Sequence, residues 1–193
     1  MSRTQQTETQ TILDHGLSVW SFSERILRKD TDGMKIPTWF TDHYGFILDN
    51  LHNVEIIKEY NVMHDCGKPY CLEIDENGKR HFPNHAAVSE RTYRALPDSK
   101  DEVARLIGLD MLLHTATAEE VNALRLSIAD AFTLLLTAFA EVHSNASMFG
   151  GTDSISFKSK WKKLDRRGKM LVLDFYGSRP DGRGHCLENS WGL

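Results

Sequence analysis

Asn61-Val62-Met63-His64-Asp65-Cys66-Gly67-Lys68-Pro69 is the stretch on which the reading of this chain turns. An imidazole and a carboxylate stand side by side at the end of an apolar helical run. A glycine stop, a lysine and a proline follow at once. Adjacent His and Asp side chains rarely help a core, because burial leaves their polar atoms to be satisfied. They make sense together if both reach one divalent metal ion.

Outward from this run the periodicity is mostly helical. Residues 46–64 form the helical pattern that ends at the motif. In 12–27, Val19, Phe22 and Ile26 share one face, with His15 four residues before Val19 on that face. The stretch 29–45 is rich in Asp, Gly and Pro and reads as a loop with one short helix. After the motif, Asp75-Glu76-Asn77-Gly78 predicts a hairpin turn between short strands in 73–82. Asn84 can cap a helix to about Leu96, which Pro97 stops. Ser99 or Asp101 can open the next, with Val103, Leu106, Ile107, Asp110 and His114 on one face. Residues 119–142 carry the strongest helical repeat: Val121, Leu124, Ile128, Phe132, Leu135, Phe139 and Val142.

The period then changes. Ile155, Phe157 and Trp161 alternate with Lys158, Lys160 and Lys162, which predicts a strand with one apolar and one basic face. Asp165-Arg166-Arg167-Gly168 reads as a turn, 170–176 as the return strand, and the end from Gly177 as irregular. The expected fold is mainly α: one helical bundle over 1–193, with its core in 12–143. A small β hairpin follows the His-Asp motif, and a C-terminal β hairpin forms an appendage over 152–193.

Bulk properties set the frame. A chain of 193 residues with 40% hydrophobic content is long enough for one domain and a sizeable core. A net charge of -4 gives no global positive field to draw polyanions, though a local patch can still do so. Three cysteines, Cys66, Cys71 and Cys186, make no disulfide framework and point to a reducing compartment. The polar start, 1–10, has no apolar signal region and reads as a frayed tail. The apolar stretch 131–140 contains Thr133 and Thr137 and is too short for a bilayer. The expectation is a soluble cytoplasmic protein without a membrane partner, for which an oligomer is compatible.

Ligand-type residues stand at four places on otherwise apolar helical faces: His15, His64-Asp65, His85 and Asp110. One polar group pointed inward from each helix of a bundle can assemble a metal site. Asp110 lies within Leu106-Ile107-Gly108-Leu109-Asp110-Met111-Leu112-Leu113, where an unpartnered carboxylate costs several kcal/mol. It calls for a cation, a metal or a dense hydrogen-bond net, and His114 can ligate or orient it. Plainer readings stand beside these: His15 as a satisfied core histidine, Lys68 as a solvated lysine at a helix C-terminus. Cys66 and Cys71 with His64 and His85 are a rival zinc set, although the cysteine spacing is looser than a zinc knuckle. Cys66 otherwise packs as a small apolar residue.

The pattern His15, His64-Asp65, Asp110 resembles the HD-domain metal-dependent phosphohydrolases, α-helical proteins named for this pair. His64-Asp65-Cys66-Gly67-Lys68-Pro69 looks like their His-Asp-x-Gly-Lys form. The hairpin and Arg80-His81-Phe82-Pro83-Asn84-His85 resemble the branch with HD domains of tRNA nucleotidyltransferases and RNA-end-repair enzymes. The resemblance covers about 12–115. The gap from His15 to His64 is longer than is usual there, so His43 and His52 are alternative first ligands. The setting Asp14-His15-Gly16-Leu17-Ser18-Val19-Trp20, similar to the family's first helix, favours His15.

The resemblance implies one or two divalent ions (Mn, Mg, Zn, Ni, Co or Fe) held by His15, His64, Asp65 and Asp110, with His85 and His114 as ligands of a second. It implies that Asp65 also orients the attacking water and that Lys68 neutralises phosphate charge. His81 is a further candidate for the substrate. Lys158, Lys160, Lys162, Arg166 and Arg167, within a run that also holds Lys163 and Lys169, suit a phosphate backbone, or else form a solvated face. The loop 144–151 can cradle a phosphate or simply connect. The expected function is hydrolysis of phosphate esters on nucleotides or RNA ends, as a 2′,3′-phosphatase or phosphodiesterase. A deoxynucleoside mono- or triphosphate hydrolase and a non-catalytic nucleotide-sensing binder are the alternatives.

Overall fold

The computed structural model describes residues 1, 4–5 and 10–177. It is mainly α, as expected. Ten helices form along the described residues: α1 Ile12–Leu27, α2 Thr38–Asp42, α3 Tyr44–Asp49, α4 Val54–Met63, α5 His85–Arg94, α6 Asp101–Gly108, α7 Leu112–Thr115, α8 Ala118–Ala123, α9 Ile128–Met148 and α10 Ile155–Gly177. A two-stranded antiparallel hairpin, β1 Glu73–Ile74 and β2 Arg80–His81, follows the His-Asp motif, with Glu73 opposite His81.

The centre is α9. From Ala131 to Ala140 every residue is buried, as befits a helix apolar on all sides. Helix α1 packs on α9 and α4, α4 on α6, α6 on α5, and α10 on α9 and α7. Thr11 starts α1 with a reciprocal capping box to Asp14. Glycine permits the tightest crossing. A Cβ on Gly16 would collide with the Val62 carbonyl oxygen, so α1 meets α4 backbone to backbone. A polar chain crosses the same place: Ser23 Oγ donates to Asn61 Oδ1, and Asn61 Nδ2 donates to Thr137 Oγ1 at 2.9 Å. It joins α1, α4 and α9 with every partner satisfied.

Several boundaries differ from the sequence reading. The pattern over 46–64 is cut at 50–53, where Asn53 caps α4 through the Ile56 N–H. The loop 29–45 holds α2 and the start of α3. The expected 119–142 helix is two helices. Arg125 turns with φ 45°, and Ser127 caps α9 through the Asp130 N–H. Helix α6 ends at Gly108, so Asp110 lies in the turn before α7 rather than on a continuous face with His114.

The C-terminal β hairpin is the one element reversed outright. Residues 155–177 are a single helix. The alternating lysines imitate period two, but Phe157, Leu164, Gly168, Leu171 and Val172 are the buried set, and their spacing is helical. Gly168 is no turn. A Cβ there would press on the Trp39 ring and Leu135, so glycine lets α10 lie close against the core. The expected irregular end falls, beyond Gly177, outside the described residues, as does Cys186. Among the described residues no helix is long and apolar enough to cross a membrane.

Candidate metal centre

Helix α4 delivers the His-Asp pair. His64 is its C-cap residue, and both His64 and Asp65 are buried. Asn61 and Met63 carbonyls hold the turn: His64 Nδ1 lies 2.8 Å from Asn61 O, and Cys66 N donates to Met63 O. With Nδ1 on a carbonyl, His64 Nε2 is turned toward Asp65 Oδ2, 3.3 Å away. Fixing one ring nitrogen in this way presents the other to a proton or a metal.

His15 enters from α1. Its Nε2 is 3.8 Å from Asp65 Oδ2, and its ring meets that of His64 edge-on at 5.3 Å between centroids. One ligand atom from each of His15, His64 and Asp65 lies within 4.8 Å of the others. His15 is therefore with the motif, while the two alternative first ligands are elsewhere. His43 Nδ1 bonds Trp39 O, and His52 Nε2 bonds Asp130 Oδ1.

Gly67 brings the motif onto α5. A Cβ there would run into the Val88–Ser89 backbone, and the Gly67 N–H donates to Ser89 Oγ. The approach sets Lys68 and His85 beside Asp65. Lys68 Nζ donates to Asp65 Oδ2 at 2.6 Å and lies 5.2 Å over the Phe82 ring. It is not the solvated lysine of the plainer reading, since 10% of its side chain is exposed. His85 Nδ1 rests on Phe82 O, and its Nε2 is 3.8 Å from Asp65 Oδ1, outside the 4.8 Å group.

Asp110 is buried and accepts from Tyr60 Oη at 2.7 Å. It too stands outside that group, but its charge acts on His64. His114 does not orient Asp110; its Nε2 is 2.9 Å from Glu141 Oε2. Glu141, on α9, is the residue the sequence reading missed. A carboxylate within Phe139-Ala140-Glu141-Val142 on the most apolar helix is the same signal that marked Asp110.

Three carboxylates, Asp65, Asp110 and Glu141, thus share this interior with His15, His64, His114 and Lys68. Burial depresses His64, but Asp65, then Asp110 and Glu141, outweigh it and lift the ring to about 10. Burial and the neighbouring His64 hold His15 at about 4. Near neutral pH the pair therefore favours a single positive charge, on His64. Burial opposes ionisation of Asp65, yet His64 and Lys68 keep it well below the usual carboxylate range. Burial raises Asp110, against the pull of His64. His15 Nδ1, His64 Nε2 and Asp65 Oδ1 are buried without a hydrogen-bond partner. Buried nitrogens and a carboxylate oxygen left without partners at one place suit a divalent cation, which would displace the proton from His64.

The remaining candidates are placed elsewhere. His81 bonds Asp75 on the exposed hairpin at 2.9 Å. Cys66 Sγ donates to Ser89 O and Cys71 Sγ faces the Gly67 and Lys68 carbonyls, so the rival zinc set is not assembled. Burial pushes the Cys66 thiol up to about 11. Because α10 is a helix, Lys160 does not share a face with Lys158 and Lys162. Lys160 and Arg167 lie on the flank toward α7: Arg167 Nη1 donates to Leu113 O, and the Lys160 charge acts on His114. Lys158, Lys162 and Arg166 recur one turn apart on another side. The 144–151 loop is mostly the end of α9, with Gly150 and Gly151 at positive φ.

No protein-family model matches this chain, and neither a curated protein nor a solved structure shows significant similarity to it.

Proposed function

We propose that this chain is a metal-dependent phosphohydrolase of the HD-domain kind, acting on phosphate esters of nucleotides or RNA ends. The observation that supports the reading is the meeting of His15, His64 and Asp65 from α1 and the end of α4, buried and within 4.8 Å of one another. The donor set of imidazole nitrogens and carboxylate oxygens fits a borderline divalent ion such as Mn, Fe, Co, Ni or Zn, and also admits Mg. His15, His64 and Asp65 would hold it, with Asp110 as a nearby fourth donor. His85 and the His114–Glu141 pair are the donors at hand for a second ion.

A divalent ion bound there supplies polarisation of a phosphoryl oxygen and a water of near-neutral pKa. The chain's own groups do the rest. Asp65 ties Lys68, so a positive charge is fixed beside the site where a phosphate would sit. The Asn61 and Phe82 carbonyls orient His64 and His85 with Nε2 toward Asp65. Tyr60, wholly buried, fixes Asp110.

Elemental analysis of the purified protein tests the reading, followed by turnover of p-nitrophenyl phosphate, nucleotides and phosphorylated RNA ends. The expected result is a bound divalent metal and metal-dependent release of phosphate, both lost in a folded Asp65→Asn variant. A protein that takes up none of these metals, or an Asp65→Asn variant with full turnover, overturns it. A non-catalytic nucleotide-binding protein would then remain.

A further inference from the structure

Helix α10 is the most basic element of an acidic chain: residues 155–177 hold seven Lys or Arg against two Asp. Its buried stripe runs through Phe157, Leu164 and Leu171, leaving the charges on the two flanks and the outer side. Lys158, Lys162 and Arg166 follow one another at four-residue intervals, a rise of about 6 Å each. Lys162, Lys163 and Arg166 are in no ion pair among the described residues. Lys158 meets Asp153, an exposed carboxylate, at 3.3 Å.

Beside this row runs a cleft of about 760 Å³ between α10 and the segment 34–36. Its apolar lining is Met34, Ile36, Phe157 and Trp161, and Lys158 and Lys162 stand at its rim. The Trp161 indole is pinned, since its Nε1 donates to Lys35 O at 2.7 Å. Asp165, also in the lining, is engaged with Trp39 Nε1 at 2.7 Å. On the other flank Lys160 and Arg167 face α7 and His114, next to Glu141. Positive charge on α10 thus runs from the aromatic cleft on one flank to α7 and His114 on the other.

We infer that α10 is a track for single-stranded nucleic acid, with phosphates on the Lys158–Lys162–Arg166 row and bases in the cleft against Trp161. A row of cations beside a fixed aromatic ring matches alternating phosphates and base faces. An acidic peptide offers the charge without the stacking planes. A lipid surface likewise offers no planar groups to stack on the Trp161 ring. The inference rests on the phosphohydrolase reading only for its consequence: the preferred substrate is then a polynucleotide end, not a mononucleotide.

The test measures binding apart from hydrolysis. Anisotropy of a labelled single-stranded 12-mer RNA is followed with the full chain in EDTA over a salt series. The expected result is binding that weakens steeply with salt. In Lys158→Ala/Lys162→Ala/Arg166→Ala it falls at least tenfold, and the log–log salt slope drops by about 2, since each lost phosphate contact removes about 0.7. Quenching of tryptophan fluorescence by the RNA is expected to diminish in Trp161→Phe. With metal restored, the triple variant is expected to lose turnover on RNA ends while keeping it on p-nitrophenyl phosphate. Unchanged RNA affinity in the triple variant overturns the inference, as does tighter binding of polyglutamate or anionic vesicles than of RNA. RNA binding in a protein without hydrolytic activity sinks the hydrolase reading and leaves the track standing.

Discussion

Among the described residues a histidine meets a buried aspartate in two places, and the two are finished differently. At the foot of α9, His52 Nε2 bonds Asp130 Oδ1 at 2.8 Å, and Arg105 closes on both carboxylate oxygens at 2.9 and 3.1 Å. The charge is matched. At the end of α4, Asp65 meets His15, His64, His85 and Lys68, yet His15 Nδ1, His64 Nε2 and Asp65 Oδ1 are buried without a hydrogen bond. Asp110 and Glu141 add further negative charge there. A closed network holds a fold together, whereas an open one leaves buried donors and acceptors that call for a partner. His143 makes the same point alone. Both its nitrogens are engaged, by Phe139 O and the Lys35 N–H, and it is a core histidine.

The sharpest way to break the comparison is to neutralise each aspartate in turn. Asp65→Asn is expected to reduce turnover about 10³-fold, the several kcal/mol that a metal contributes. Added metal should stabilise the native protein in a thermal melt and leave this variant unmoved. Asp130→Ala should do the converse, keeping metal binding while losing about 2 kcal/mol of stability in urea.

Gly67→Ala should cost more, about 3 kcal/mol, because the new Cβ meets the Val88–Ser89 backbone. It should also lower turnover by displacing Lys68 and His85 from Asp65. A Gly67→Ala variant as stable and active as the parent would show that this close approach does not set the site.

Proton linkage separates the clusters next. His15 is held at about 4, below its unfolded value. In the metal-free protein its contribution is complete above about pH 6.5 and is lost as the pH falls toward 4, on the order of 3 kcal/mol. His64, raised to about 10, has the opposite sign: its contribution is present below about pH 6.5 and is lost as the pH rises through 10. His15→Gln should flatten the acid limb of a stability–pH curve, and an unchanged limb would contradict the assignment. The smallest effect belongs to His81, paired with Asp75 at the surface. His81→Ala should leave turnover within about twofold, since exposed ion pairs contribute little.

Helix α1 was legible to the residue, because its apolar stripe lies in local sequence. The hairpin after the motif was legible from Asp75-Glu76-Asn77-Gly78. Helix α10 was not, since seven basic residues mask a helical stripe whose partners are Trp39 and Leu135, far away in the chain. His15, His64 and Asp65 could be picked out as polar residues where apolar ones belong. Glu141 carried the same signal within α9 and passed unnoticed among alanines and leucines.

The residue types of this protein, read alone, determined a helical chain and a short roster of metal-type donors. Periodicity and caps are local properties, and so is the strangeness of a carboxylate in an apolar run. Which donors meet was decided only in three dimensions. Gly16 and Gly67 allow two backbone contacts that bring α1 and α5 onto the end of α4, Arg105 closes on both oxygens of one aspartate, and Lys68 reaches only Oδ2 of the other, leaving its Oδ1 open. Convergence depends on distances between helices far apart in the chain, and no local pattern encodes those.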